Sequence, residues 1–466
     1  MRRDLGVFIL SACATFAQPP ARLVTLDIAA TGAHGQAVPD LRSSDIQLSD
    51  NKKTQSIVYW HSNQRRPEVP RATVVVFSLE NAGIKSAAWN QAIGAMRRFE
   101  ISEYLYFYVV TNSGALLPVH ALPKPEADSP PVNLPWMAQT LPQFESASHL
   151  YPPPRKSNVV SYSPYMEFAA RLAAFPGRKN LVCIGCLLSN PGWWDQDTKP
   201  ASAAQVARAA ELRRLAGAFH QARVAVYPVD GLAKPRYLAS EVGETADLIR
   251  LDHIDALAAV TGGRAYAHGE IEQAIAQAVS DARSSYRIAY LPSPENWDGK
   301  VHQIRVVSTR SGVHVLAPTW YVADLLEDVA RKWKPTIPDF AISSPFDQSD
   351  IAVSVAPPEK TANAFRIQVR VDAADLLLLP KDGHSSGSLA LQAICYTPEG
   401  RKLACTEPLH VDLDLSDRQR ETAMRGGLRF PMDLPAGEVP ARIRVVVCDL
   451  NSGATGSSTF VVQEAH

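Results

Sequence analysis

The chain has 466 residues, 46% of them hydrophobic and 20% charged. That is too apolar for a disordered chain, and at ~150 residues per domain it leaves room for about two to four domains. Lys+Arg and Asp+Glu each number 47, for a formal net charge of zero, which argues against a protein whose main task is neutralising nucleic-acid phosphates. Prolines number 35 against 25 glycines and argue against a mostly helical chain.

No stretch reaches the ~18 apolar residues of a spanning helix. The start of the chain is different. Met1-Arg2-Arg3 is basic, residues 5–17 are apolar and small, and Gln18-Pro19-Pro20 breaks the run. Residues 1–17 read as an export signal peptide cut after Ala17. Leu10-Ser11-Ala12-Cys13 also looks like a lipobox, which would make Cys13 a lipid anchor. Residues 22–62 then hold three short alternating strands, with turn chemistry at Gly32, Gly35, Pro39, Asp50 and Asn51.

The texture changes after Pro67. Residues 72–77, 104–110, 180–184 and 223–229 are continuous apolar runs, the pattern of strands buried on both faces of a parallel sheet. Helical stretches over 85–99, 166–175, 202–221, 252–261 and 270–284 alternate with them, which predicts a doubly wound α/β sheet. Residues 118–154 carry ten prolines, with Trp136, Phe144 and Tyr151 interspersed. They read as a long surface loop or as an arm that touches a partner. Strand character returns at 286–291, 302–308 and 313–317, a charged connector helix is predicted over 325–334, and 350–466 reads as strands only, a β-sandwich pattern.

Several of these segments resemble exported bacterial von Willebrand factor A-related (VWFA-related) proteins. They are Leu23-Val24-Thr25-Leu26-Asp27, Pro176-Gly177-Arg178-Lys179-Asn180, Val226-Tyr227-Pro228-Val229-Asp230, Val260-Thr261-Gly262-Gly263 and Ser285-Tyr286-Arg287-Ile288, in that order. Leu434-Pro435-Ala436-Gly437 and Val447-Cys448-Asp449 resemble a β-domain that often follows. The resemblance covers residues 22–322 in blocks and, more weakly, 430–462. It implies a von Willebrand A-like fold that binds protein ligands through a metal at the C-terminal sheet edge. Such a metal takes hard oxygen ligands from an Asp-x-Ser-x-Ser run, a Thr and a later Asp. This chain departs from the pattern. Ser78 stands where the first Asp is expected, Glu80 and Ala82 where the serines are, and Cys186 where the later Asp is. With a degenerate metal motif, no cofactor is expected, and a weak divalent ion at Ser78 and Glu80 stays open.

Other residues carry candidate chemistry. Cys183-Ile184-Gly185-Cys186 has redox spacing, but a reactive thiol normally sits at a helix N-terminus. Two small buried hydrophobes is the favoured account. Gly383-His384-Ser385-Ser386-Gly387 matches the serine-hydrolase pattern, yet a strand follows it, where that mechanism needs a helix. Asp412-Leu413-Asp414-Leu415 reads as an exposed strand face. Trp193, Trp194 and Asp195 follow Asn190-Pro191-Gly192 in a loop, and exposed tryptophan is a preferred hot spot. One disulfide is possible among Cys395, Cys405 and Cys448, with the pairing open.

These readings combine into one plan. The strands of 22–62 pair with those of 286–322, the α/β domain of residues 67–285 is inserted between them, and 336–466 form the sandwich. The expected function is an exported non-enzymatic module, periplasmic, outer-envelope or secreted, that binds or scaffolds a protein partner. Its surface would be Ser78, Glu80, Asn81, Trp193, Trp194 and Asp195, with the Pro-rich arm. The alternatives are an enzyme, either thiol redox at Cys183 and Cys186 or hydrolase at Ser385, and a carbohydrate-binding surface protein.

Overall fold

The computed structural model describes residues 23–63, 71–79, 86–111, 115–124, 134–148, 163–186, 203–229, 257–266, 270–323, 336–357, 359–360, 364–403, 406–435 and 440–462. They fall into two compact units, one of 24–325 with 343–349, the other of 326–342 with 350–466.

The first unit opens with β1 (Val24–Thr31), β2 (Ile46–Asp50), β3 (Lys53–Gln55), β4 (Ile57–Ser62) and β5 (Ala72–Ser78). Next come α1 (Ser86–Arg97), β6 (Tyr104–Val110), β7 (Leu116–His120), α2 (Met137–Ser148), α3 (Ser163–Ala173), β8 (Lys179–Ile184) and α4 (Ala203–Gln221). It continues through β9 (Val224–Val229), α5 (Ile271–Arg283), β10 (Ser285–Tyr290), β11 (Val301–Ser308), β12 (His314–Leu316) and β13 (Trp320–Val322).

The strands at the two ends of this unit join into two antiparallel sheets, β12-β1-β10-β4 and β13-β11-β2-β3. Val24 lies opposite Tyr290 and Ala29 opposite Ser285, while Asp50 lies opposite Ile304. Leu26, Ile28, Leu48, Ile288, Ile304 and Val306 form one core shared by both sheets. Between them in sequence lies a mixed sheet in the order β7-β6-β5-β8-β9. Its β6, β5, β8 and β9 are parallel, and β7 is an antiparallel edge. Every residue of β5, β8 and β9 is buried. Alternate side chains enter two cores. Val74, Tyr108, Leu181 and Val226 meet Phe168 of α3 and Phe219 of α4. Val75, Phe107, Val182 and Tyr227 meet Met96 of α1 and Ile275 of α5.

The described residues are nevertheless mainly β, 42% strand against 26% helix, and this corrects the expected class of a von Willebrand A-like doubly wound α/β protein. Among the described residues, parallel strands are confined to four strands of one sheet, with a single parallel bridge from Val229 to Tyr266, the other four sheets are antiparallel, and no clear doubly wound A-type domain is made out. The reason is one of visibility. Four long apolar runs dominate a reading by pattern, whereas short strands with one wet face leave only weak alternation.

One further expectation changes. The described parts of 118–154 hold β7 and α2, so the segment is not simply a loop. Pro118 sits on an edge strand, where a missing N–H is tolerated, and the N–H groups of Trp136 and Met137, where α2 begins, donate to the Glu100 carboxylate. The predicted connector helix over 325–334 lies outside the described residues.

The second unit runs α6 (Asp339–Ser343), β14 (Val353–Val355), β15 (Glu359–Lys360), β16 (Ala364–Val371), β17 (Leu379–Lys381), β18 (His384–Tyr396), β19 (Lys402–Leu403) and β20 (Leu409–Leu415). It ends with α7 (Asp417–Gly426), β21 (Leu428–Pro435), β22 (Arg442–Asp449) and β23 (Thr455–Val461). β21 joins the β14-β16-β15 sheet through β16, and β19 and β20 join β17-β18-β22-β23 through β18. The reading of 350–466 as strands only is corrected by α7. Ser416 caps it and Gln419 closes a capping box, a Ser-x-x-Gln start signal that is present in the sequence.

Candidate functional site

Loops leaving the carboxyl ends of parallel strands gather at one sheet edge, and a crevice forms where neighbouring connections diverge. Here that point lies between β5 and β8. Phe77 lies beside Ile184, and Ser78 beside Val110. Ser78 is fully buried, and Leu79 donates its N–H to the Val110 carbonyl at 2.8 Å. Thr111, also buried, accepts the Ala115 N–H at 3.0 Å and so turns the chain back toward β7. β8 exits through Gly185, whose φ of +70° suits glycine, and whose N–H donates to the Val229 carbonyl at 2.9 Å.

This turn brings Cys183 and Cys186 together as a disulfide, with Cα atoms 5.6 Å apart. Cys183 is wholly buried beside Val76, and Cys186 is half-buried against the same core. Two separate hydrophobes is therefore the wrong account of this pair. The Gly185 turn supplies the separation that a disulfide requires, and the Cys-x-x-Cys spacing is its signal.

Of the six expected surface residues, Ser78 is described. Glu80, Asn81, Trp193, Trp194 and Asp195 lie outside the described residues, as does Asp230. Two positions of the expected metal pattern are described. Ser78 is buried, and Cys186, at the position of the later acid, is a disulfide sulfur where Mg²⁺ would take oxygen. Among the described residues no three His, Cys, Asp or Glu side chains are grouped to hold a metal.

The hydrolase-like motif is taken apart by β18. Ser385 lies within the strand opposite Leu415, 8% exposed. His384, Ser386 and Ser388 instead share a groove of about 540 Å³ with Asp412, Asp414 and Asn451. His384 Nδ1 is 2.8 Å from Asp414 Oδ1, Ser386 donates to the Leu379 carbonyl at 3.2 Å, and Ser388 donates to Asp412 Oδ1 at 2.9 Å. Neither hydroxyl is held by the imidazole. Elsewhere in this unit Cys395 is disulfide-bonded and Cys448 is buried, while Cys405 lies outside the described residues.

Two buried polar networks have no signature in the sequence. Arg178, 1% exposed, donates to the carbonyls of Asp27 at 3.0 Å and Gly262 at 2.6 Å and to the Tyr227 hydroxyl at 3.1 Å. Tyr227 donates in turn to Asp281 Oδ2 at 2.8 Å, and Arg223 grips the Asp27 carboxylate with two nitrogens. Burial raises the Asp281 carboxyl, against the pull of Arg178, and pushes the Tyr227 phenol well up. In the second network Asp50 Oδ2 accepts from Tyr290, Tyr321 and Asn296 at 3.0–3.1 Å, and Asp50 Oδ1 lies 3.2 Å from His302 Nδ1. Burial raises both phenols. Each network ties strands and the elements packed on them together.

No protein-family model matches the chain, and no curated protein matches it. The motif resemblance to VWFA-related proteins finds no support there. No helix among the described residues is long and apolar enough to cross a membrane.

Proposed function

We propose that this is an exported, non-enzymatic protein-binding or scaffolding protein whose contact surface is the carboxyl edge of β5, β6, β8 and β9. The Cys183–Cys186 disulfide carries the reading. It ties the exit of β8 to a side chain buried in the core, so the following segment, with Trp193, Trp194 and Asp195, departs from a fixed point. A fixed departure lowers the ordering cost of binding, and tryptophan is the residue type that most often dominates an interface. Disulfides at Cys183–Cys186 and at Cys395 also favour an oxidising compartment, since cytosolic thiols are kept reduced. The enzyme readings draw less support. Cys183 lies within β8 and not at a helix N-terminus, and Ser385 lies within β18.

The test places a photo-crosslinking amino acid at position 193 of the full chain in its native cell. The same group at position 101, where Ile101 is 70% exposed before the start of β6, serves as control. A discrete adduct from 193 that is absent from 101 is the expected result. Identical adducts, or none, would remove the proposed surface.

A further inference from the structure

We propose a second binding site, for a carboxylate-bearing saccharide, in the open depression between β4 and the 39–43 turn. The depression holds about 570 Å³ and is lined by Pro39, Asp40, Leu41, Arg42, Ser43, Trp60 and Ser62. It differs from the His384 groove in having an aromatic platform.

The platform is prearranged. Trp60 rests on Tyr286, ring centres 5.1 Å apart and tilted by 37°. Tyr286 is pinned in turn, because its hydroxyl donates to the Val38 carbonyl at 2.6 Å and accepts the Leu41 N–H at 3.1 Å. One tyrosine thus fixes both the indole and the turn that walls the depression. An indole face offers a flat, electron-rich surface suited to the C–H face of a pyranose ring.

The cationic partner is Arg42. Asp40 is engaged by Arg310 at 3.1 Å, and Arg310 also lies 3.9 Å from Asp45. Arg42 is exposed, makes no contact ion pair among the described residues, and lies near enough to Asp40 to help hold its carboxyl below the usual range. Its planar fork suits a carboxylate bidentately. The Ser43 hydroxyl and Oδ2 of Asp40, the oxygen that Arg310 does not engage, supply the short-range polar contacts that ring hydroxyls need. A flat apolar platform, one guanidinium and two short-range polar partners in a shallow trough together describe a uronic or sialic acid unit. This inference does not depend on the carboxyl-edge surface.

The full chain is titrated calorimetrically with oligogalacturonate, a hyaluronan oligosaccharide and sialyllactose, with methyl-esterified oligogalacturonate and hexaglutamate as controls. Saturable binding to at least one acidic saccharide is expected, weakened about tenfold or more by Arg42→Gln, as loss of a charge-assisted pair implies. Trp60→Ala should weaken it comparably, and Trp60→Phe should retain most of it. Arg42 is exposed, so its variant folds normally by circular dichroism and keeps the test decisive. No saturable binding to any of the three overturns the proposal, as does affinity unchanged by Arg42→Gln. Equal affinity for hexaglutamate would show that charge alone is recognised and would overturn it too.

Discussion

The mixed sheet and the β18 sheet treat a chemistry-bearing motif in opposite ways. In the mixed sheet, β5, β8 and β9 are buried on both faces, so a reactive side chain reaches solvent only where a strand ends. Cys183-x-x-Cys186 straddles such an end, and a turn joins positions i and i+3. Along β20 Asp412 and Asp414 are exposed while Leu413 and Leu415 are buried, and the pleat sorts β18 in the same manner. It sends Ser385 inward and leaves His384 and Ser386 outside. A short spacing therefore means assembly at a strand end and separation within a strand.

The largest test of this contrast is Arg178→Met. The change removes a buried cation from its partners, which costs about 3–5 kcal/mol, and the urea midpoint should fall accordingly. Arg366→Met removes a guanidinium held 2.7 Å from the Asp433 carboxylate on the wet face of β16. Its midpoint should not move measurably. Similar midpoints for the two variants would mean that the mixed sheet is not the buried scaffold described here.

A steric test comes next. Gly263 lies so close to β9 that a Cβ would run into the Val226 carbonyl oxygen. Gly263→Ala should cost about 1–3 kcal/mol. Gly94, inside α1 with open space where a methyl group would sit, gives the opposite sign. Gly94→Ala should stabilise by about 0.5–1 kcal/mol. Equal responses by thermal melting would refute the tight packing of the 261–263 turn under β9.

What could be read in advance follows the same division. The runs of β5, β6, β8 and β9 announce themselves because burial on both faces demands unbroken apolar sequence. The alternation of β20 is equally plain. The mainly β class is not, because β15 and β19 have two residues each and β3, β12, β13, β14 and β17 three, too few for a period to show. Arg178 could not be read as buried, since a buried charge is defined by partners such as Asp27 and Gly262 that are far away in sequence. The disulfide could have been found. Its spacing is visible in the sequence, but a buried strand over 180–184 favours reading both cysteines as core side chains, and it is the turn at Gly185 that joins them.

The disulfide itself sets a third test. In the chain-entropy account, a bridge closing a four-residue ring contributes about 2 kcal/mol, so Cys183→Ala with Cys186→Ala should lower the urea midpoint by a corresponding amount. Its chemistry separates the two readings of the motif. Attack on half-buried Cys186 would expel the Cys183 thiolate into an apolar core, where it is a poor leaving group. Mild monothiol treatment of the native chain, followed by alkylation and peptide mapping, should leave both cysteines unlabelled until denaturant is added. Rapid native labelling of Cys186 would return thiol exchange to the front.

The smallest effect lies at the edge of the mixed sheet. His120, on β7, is stacked between Tyr106 and Trp136, ring centres 5.3 and 4.5 Å away, and its Nδ1 donates to the Leu105 carbonyl at 2.8 Å. Burial holds its pKa below the usual 6.5. As pH falls below that value the unfolded chain takes up a proton that the folded chain resists, so this contribution to stability is complete above the unfolded pKa and lost on acidification. His120→Phe keeps an aromatic ring in the stack and removes the titration. Urea midpoints at about pH 7.5 and about pH 5.5 should therefore differ less in the variant than in the wild type. Equal differences would mean that water reaches this imidazole freely, and that the dry interior of the mixed sheet stops short of its antiparallel edge strand.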